Sequence, residues 1–315
     1  MGGGAAGRPG ERGVEQVSPV CACEDNRGEE FGSVGDLSPG APVSAMLIPF
    51  AKAHGAKNDF LLTWADEAPG VDLSAVAVAI CERNTGIGAD GWLVCERPAD
   101  GMRIRLFNPD GGEVEMSGNG TRCAAAWAMA NGYEPEAIKI RTGGGEKQLR
   151  RLQRQGTRFV FEMNMGRPVI EAEREALVVG SEIVNCTILN VGNPQCAVFV
   201  ENFDFDWAAM GAAIERDPRF PKRTNVSFVK HVDGLTLAVR FFERGVGVTN
   251  SSGTGSTGAA VAAIARGIVG RSVTVETPAG PLEFHWPSAD EDVVMVGPAE
   301  LIGTGTFYFL DGHDA

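Results

Sequence analysis

Residues 113–126 read EVEMSGNGTRCAAA, and residues 248–261 read VTNSSGTGSTGAAV. Both contain Ser-Gly-x-Gly followed by a run of small residues, with Ser117 and Ser252 opening the shared core (252 − 117 = 135). The same offset carries Asn58 onto Asn193, Phe107 onto Phe242, Thr142 onto Thr277 and Gly145 onto Gly280. RLFN at 105 corresponds to RFFE at 240, and IKIRTGGG at 138 to VTVETPAG at 273. One long period with no third copy describes an internal duplication, because solenoid repeats are shorter and more numerous. Two such halves facing each other would make one cleft.

Around these stretches the apolar runs are short and rich in Val, Ile, Leu and Phe. FLLTW at 60, MRIRLF at 102, RFVFEMNM at 158 and LTLAVRFF at 235 are punctuated by Gly, Asn, Asp and Pro, which reads as strands. DLSAVAVAICE at 72, RCAAAWAMANG at 122 and GAAVAAIARG at 258 read as helices from their Ala content and length. Each half is therefore expected to wrap strands around a central helix. VVMVGPAELIGTGTFYF near the end is expected to supply closing strands, one of them returning to the first half.

The chain has 315 residues, 43% of them hydrophobic, and a formal net charge of −13. That length suits two domains, and that charge argues against a nucleic-acid or anionic-membrane partner. No apolar run approaches the roughly 20 residues of a membrane helix, and no signal-peptide pattern opens the chain, so a cytoplasmic protein is expected. Seven scattered cysteines suggest reduced thiols, and neither their spacing nor the four histidines offer a metal site. The G-x-G pieces do not form a dinucleotide fingerprint, so no cofactor is expected. Residues 1–45 are rich in Gly, Pro, Glu and Ser and are expected to be a disordered leader, with Met46 a candidate start.

Ser117 and Ser252 each precede a helix. Glycine lets a ligand approach the backbone there, and free N–H groups with the helix dipole favour an anion such as a carboxylate. Ser is also a favoured N-cap, so capping alone would account for either residue. Asn58, Asn108, Asn193 and Asn225 lie in turn-like contexts where Asn is common for local reasons. Glu243 and Arg244 end a strand near the second Gly loop, either as a surface ion pair or as a charge pair that holds a ligand.

Taken in order, these motifs resemble the diaminopimelate epimerase family: KAHGAKNDF at 52, RNTGIGADG at 83, NPDGGEVEMSGNGTRC at 108, GNPQC at 192, RFPKRTNVSF at 219 and ERGVGVTNSSGTG at 243. The resemblance implies an α+β fold of two pseudo-symmetric domains, each a β-barrel-like sheet around a central helix. The expected boundaries are 46–165, with 305–315 a candidate strand to complete it, and 166–304. It also implies cofactor-independent epimerisation of LL-diaminopimelate to the meso isomer, with two residues passing protons at opposite faces of the α-carbon. Ser117 and Ser252 occupy the two catalytic thiol positions. Asn58, Asn108, Asn193, Asn225, Glu243 and Arg244 occupy substrate-holding positions, and Gly118, Asn119, Gly253 and Thr254 the carboxylate-holding loops. The implied partner is a small amino acid, and a homodimer is an assembly the resemblance allows.

The chain departs from the pattern at the chemistry. Both thiols are serines, the His of the family's GNPHC is Gln195, the Gln after its RxxGxGxD is Gly91, and the Glu of its GET is Val248. Helix dipoles can bring a thiol to neutrality, but an aliphatic hydroxyl lies many units higher and needs a separate base. Glu113, Glu115 or a residue folded nearby are the candidates. Other readings are an isomerase of a different small carboxylic acid and a binder without chemistry.

Overall fold

The computed structural model describes residues 1–2, 45–97 and 101–310. The expected leader lies outside the described residues, as do Cys21 and Cys23. The described residues from 45 onward form one compact unit.

In its first half the chain forms β1 (Met46–Gly55), β2 (Asn58–Trp64), helix α1 (Leu73–Cys81), β3 (Trp92–Glu96), β4 (Met102–Phe107), the short β5 (Glu113–Val114), α2 (Gly118–Ala130), β6 (Ala137–Thr142), β7 (Gly145–Gln155) and β8 (Arg158–Gly166). The second half continues with β9 (Val169–Val179), β10 (Glu182–Asn190), β11 (Pro194–Val200), α3 (Trp207–Glu215), β12 (Asn225–Asp233), β13 (Thr236–Glu243), β14 (Gly247–Thr249), α4 (Gly253–Ala265), β15 (Ser272–Thr277), β16 (Gly280–His285) and the long β17 (Val293–Phe309).

Strand pairing follows the duplication. β4 runs parallel to β6 with Met102 opposite Ile140, and β13 runs parallel to β15 with Leu237 opposite Val275, the same pairs 135 residues on. The first half closes on itself as β1-β2-β3-β4-β6-β7-β8-β17 and back to β1. The second runs β9-β10-β11-β12-β13-β15-β16-β17. β17 belongs to both. Its start pairs with β16 and β8, and its end pairs with β1, with Met46 opposite Phe309.

A helix inside a barrel is surrounded, so it cannot be amphipathic, and its side chains must be small enough for strands to close around it. α2 is buried from Gly118 through Met129, and α4 is buried at all but Thr254 and Ala265. Their sequences, GNGTRCAAAWAMA and GTGSTGAAVAAIA, meet that demand with Gly, Ala, Ser and Thr. Both begin earlier than the Ala runs alone suggest, because Ser117 and Ser252 cap the Gly-rich first turns. Helix α3 was not expected from the sequence; Asp206 caps it by accepting from Ala209 N–H. Where α2 leaves the barrel, Trp127 stacks on Trp64 at 3.8 Å between ring centroids, and the Arg97 guanidinium lies 3.6 Å from the Trp64 centroid.

The β1–β2 hairpin sets Asn58 with a two-residue loop, Ala56 and Lys57, both at positive φ (49° and 61°). Such a loop matches the twist of the strands but costs a non-glycine residue about 1 kcal/mol. Lys57→Gly is therefore expected to raise stability by up to about 1 kcal/mol, seen as a higher urea midpoint with unchanged slope; a lower midpoint would show that the lysine is held by something other than its backbone.

Candidate active site

Helices α2 and α4 point their N-termini at each other. A Cβ built on Gly253 would stand 3.3 Å from the Gly118 Cα, and one on Gly118 would stand 3.5 Å from the Gly253 Cα. A side chain at Gly253 would be tight against Gly118, so glycine there lets the backbones come this close. Each serine performs the capping role: Ser117 Oγ accepts from Gly120 N–H at 3.2 Å and Ser252 Oγ from Gly255 N–H at 3.0 Å. The serine carbonyls take Thr121 and Ser256 N–H. Among the described residues, the N–H groups of Gly118, Asn119, Gly253 and Thr254 are left without a protein acceptor. Four donors and two positive helix ends converge there, which is the local chemistry of an anion site.

Asn119 rivets the two loops together. Its Nδ2 donates to Ser251 Oγ at 2.8 Å and to Asn58 Oδ1 at 3.1 Å, while its Oδ1 accepts from Arg122 Nη2. Every polar atom of this 1% exposed side chain is thus used internally, and what remains for a ligand is its backbone N–H. Asn58 is held in turn by Asp90 Oδ2 at 2.7 Å, and Arg83 joins Asp90 to Asp59. Burial works against ionisation of Asp59, but hydrogen bonds from Arg83 and Lys52 hold its carboxyl below the ordinary carboxylate range.

Arg122, on the first turns of α2, is fully buried. Its guanidinium donates to Pro298 O, Gly118 O and Asn119 Oδ1, and no described carboxylate forms an ion pair with it. It fits because Gly55 and Gly297 face it; a Cβ at Gly297 would lie 3.0 Å from the guanidinium carbon. Burial lowers its pKa to about 10, which leaves it charged at neutral pH. The cleft therefore holds a full positive charge behind its ring of N–H donors.

On the second half, Asn193 Nδ2 donates to Thr254 Oγ1 at 3.3 Å and its Oδ1 accepts from Gln195 Nε2 at 2.7 Å. Gln195 is 1% exposed and its Oε1 has no partner among the described residues. Asn225 reaches Pro194 O and accepts the Arg244 backbone N–H, which ties the GNPQ turn to the ERG turn. Buried Glu215 fixes that turn from below by accepting Gly245 N–H at 3.1 Å and pairing with Arg223 at 3.2 Å. Asn108 shapes a local turn through its backbone with Gly111 and Gly112, and its side chain makes no hydrogen bond to the other site residues.

Glu243 and Arg244 do not pair with each other. The Arg244 guanidinium reaches Lys222 O at 3.3 Å, whereas the Glu243 carboxylate accepts Thr249 Oγ1–H at 2.6 Å and Ser252 Oγ–H at 3.1 Å. Burial pushes the Glu243 pKa up, partly offset by those two hydroxyls. Of the bases considered from the sequence, Glu113 is engaged in a two-pronged pair with Arg105, and Glu115 is exposed. Among the described residues, the carboxylate that reaches one of the two capping serines is Glu243. Thr249, Ser251 and Arg122 join the site without having been singled out. All three lie in the two duplicated stretches, but nothing in their local spacing reveals which partner each finds across the fold.

Two sheets wrapped around helices whose N-termini meet form a fold that recurs in solved structures of an epimerase and an isomerase. Among solved structures, a hydroxyproline epimerase from Agrobacterium vitis superposes with a TM-score of 0.64 at 14% identity, over 84% of this chain and 94% of that one. A methylitaconate-delta-isomerase superposes at 0.61 and 14% identity, over 86% and 99%. The sequence is more specific. A profile described as Diaminopimelate epimerase matches residues 50–171 and 187–302. The diaminopimelate epimerase of Moorella thermoacetica is 38% identical over 82% of this chain and 98% of its own, and that of Pelotomaculum thermopropionicum is 35% identical over the same shares. The chain belongs to the diaminopimelate epimerase family.

Arg122→Met would roughly keep the side-chain volume but leave the buried Asn119 Oδ1 without its donor, at about 1–3 kcal/mol. A destabilisation of that size is expected in urea unfolding; an unchanged midpoint would show that the guanidinium contributes nothing net to the fold.

Proposed function

We propose that this protein moves a proton at the α-carbon of an amino acid, with LL-diaminopimelate the candidate substrate and meso-diaminopimelate the product, and with no cofactor. The observation that carries this reading is the meeting of the two capped helix N-termini at Gly118 and Gly253 beside the Ser252–Glu243 hydrogen bond. The α-carboxylate is held by the N–H groups of Gly118, Asn119, Gly253 and Thr254. Negative charge moves onto that carboxylate when the carbon is deprotonated, so preorganised donors there stabilise the transition state more than the ground state. Arg122 adds to the same potential.

Ser117 and Ser252 occupy the two proton-handling positions. A free hydroxyl is a weak base, but one hydrogen-bonded to a carboxylate is a relay: Ser252 Oγ takes the carbon's proton as its own proton passes to Glu243 Oε2, so no free alkoxide forms. Asn58, Asn108, Asn193, Asn225 and Arg244 hold the remainder of the substrate. A second reading, an isomerase of a small carboxylic acid with a more acidic carbon, is favoured by the replacement of both family thiols with hydroxyls.

Incubation with LL-diaminopimelate in D₂O tests the first reading. Deuterium at the α-carbon together with meso product is expected, and binding without either would overturn it. Ser252→Ala should lower turnover by on the order of 10²–10⁴ with ligand affinity preserved, measured by isomer-resolved chromatography and calorimetry. Arg244→Ala should raise the Kd for the same ligand, and an unaltered Kd would remove it from the site.

A further inference from the structure

Resting on the reading above, we propose that the two faces of this site are chemically unequal. The Ser252 face carries the base and returns the proton it removes, so solvent exchange at the α-carbon outruns inversion. The duplication makes the halves look equivalent, since Ser117 and Ser252 cap corresponding helices with the same bond to the third N–H. Their outer contacts differ. Ser252 Oγ donates to Glu243 Oε2 at 3.1 Å, and Thr249 fixes the other carboxylate oxygen at 2.6 Å. The cation next along the chain, Arg244, turns away to Lys222 O, and among the described residues Glu243 has no salt bridge. On the opposite side, the one side-chain hydrogen bond of Ser117 among the described residues is the cap from Gly120 N–H. Position 108, which the duplication matches to Glu243, holds the non-titrating Asn108.

The consequence follows from the proton balance. On the Ser252 face the carbon's proton goes to Oγ, the hydroxyl proton goes to Glu243, and the C–H electron pair enters the substrate carboxylate as an enediolate. Reversal of these steps restores the same stereoisomer. The half-buried carboxylic acid can trade its proton for a solvent deuteron before reversal, and the substrate is then labelled without inversion. Inversion instead requires Ser117 to give its hydroxyl proton to the opposite face and to recover one from water, with no carboxylate to relay it.

The test uses the full chain in D₂O with LL- and meso-diaminopimelate supplied separately, at low conversion, with deuterium measured in the residual isomer and in the inverted one. From the isomer whose α-hydrogen faces Ser252, labelling of residual substrate is expected to exceed inversion by about tenfold or more, equivalent to about 1.4 kcal/mol between the two exits from the enediolate. The other isomer should show no such excess. Ser117→Ala should raise the exchange-to-inversion ratio further, and Glu243→Gln should suppress exchange and inversion together while the calorimetric Kd stays measurable. Inversion with deuterium confined to the product from both isomers would overturn the inequality while leaving the epimerase reading intact. Neither exchange nor inversion from either isomer would overturn both.

Discussion

The contact of Gly118 with Gly253 is the constraint on which the rest depends. Two positive helix ends at van der Waals distance repel each other, and their leading N–H groups lack intrahelical acceptors. Isolated, this arrangement is unfavourable. It persists because two sheets enclose the helices and because Asn119 and Ser251 bond across the gap. A carboxylate placed there would answer both the field and the empty donors. Arg122 deepens the same bargain, since a buried cation satisfied by neutral oxygens leaves its charge available to whatever anion arrives.

Much of this was legible in the sequence because the duplication is local in register. The 135-residue offset set the equivalence of the two helices, and the Ser-Gly-x-Gly signature placed their caps, which the structure finds at Ser117 and Ser252. The β-rich halves around small-residue helices were readable from Ala, Gly and punctuated strand runs. What was not readable is the choice of partner at the site. Glu243 and Arg244 are neighbours with opposite charges, yet the strand ends at Glu243 and the chain turns at Arg244, and Glu243 finds Ser252 while Arg244 finds Lys222 O. Arg122 hides in an Ala-rich helix where a charge ordinarily marks the solvent face, and only the glycines at 55 and 297, distant in sequence, explain how it is accommodated. Helix α3 went unnoticed because its WAAMGAAIE segment is short and holds a glycine, which packs against Phe242.

Hydroxyls at the two helix caps, where the family resemblance implies thiols, change what the scaffold must supply. A thiol titrates within reach of a helix dipole, so the fold alone can activate it. A hydroxyl does not, and the burden shifts to a neighbour able to hold a proton. Burial raises the Glu243 pKa, which makes its carboxylate a stronger base than a solvated one, while the hydroxyls of Thr249 and Ser252 keep it oriented. On the proposed reading the proton-holding groups lie in one loop, 243–252, and not equally in both halves.

The shared strand β17 has a consequence for how the molecule is made. The first barrel is closed by a strand that the chain reaches last, with Phe309 beside Met46 and Glu300 beside His54. During synthesis, β1 and β8 emerge with unpaired edges and wait for nearly the whole of the second half. Such long-range closure makes folding slow and leaves sticky intermediates exposed. The duplicated halves are thus not independent folding units, whatever their ancestry. The strand that joins them makes the first half hostage to the completion of the second.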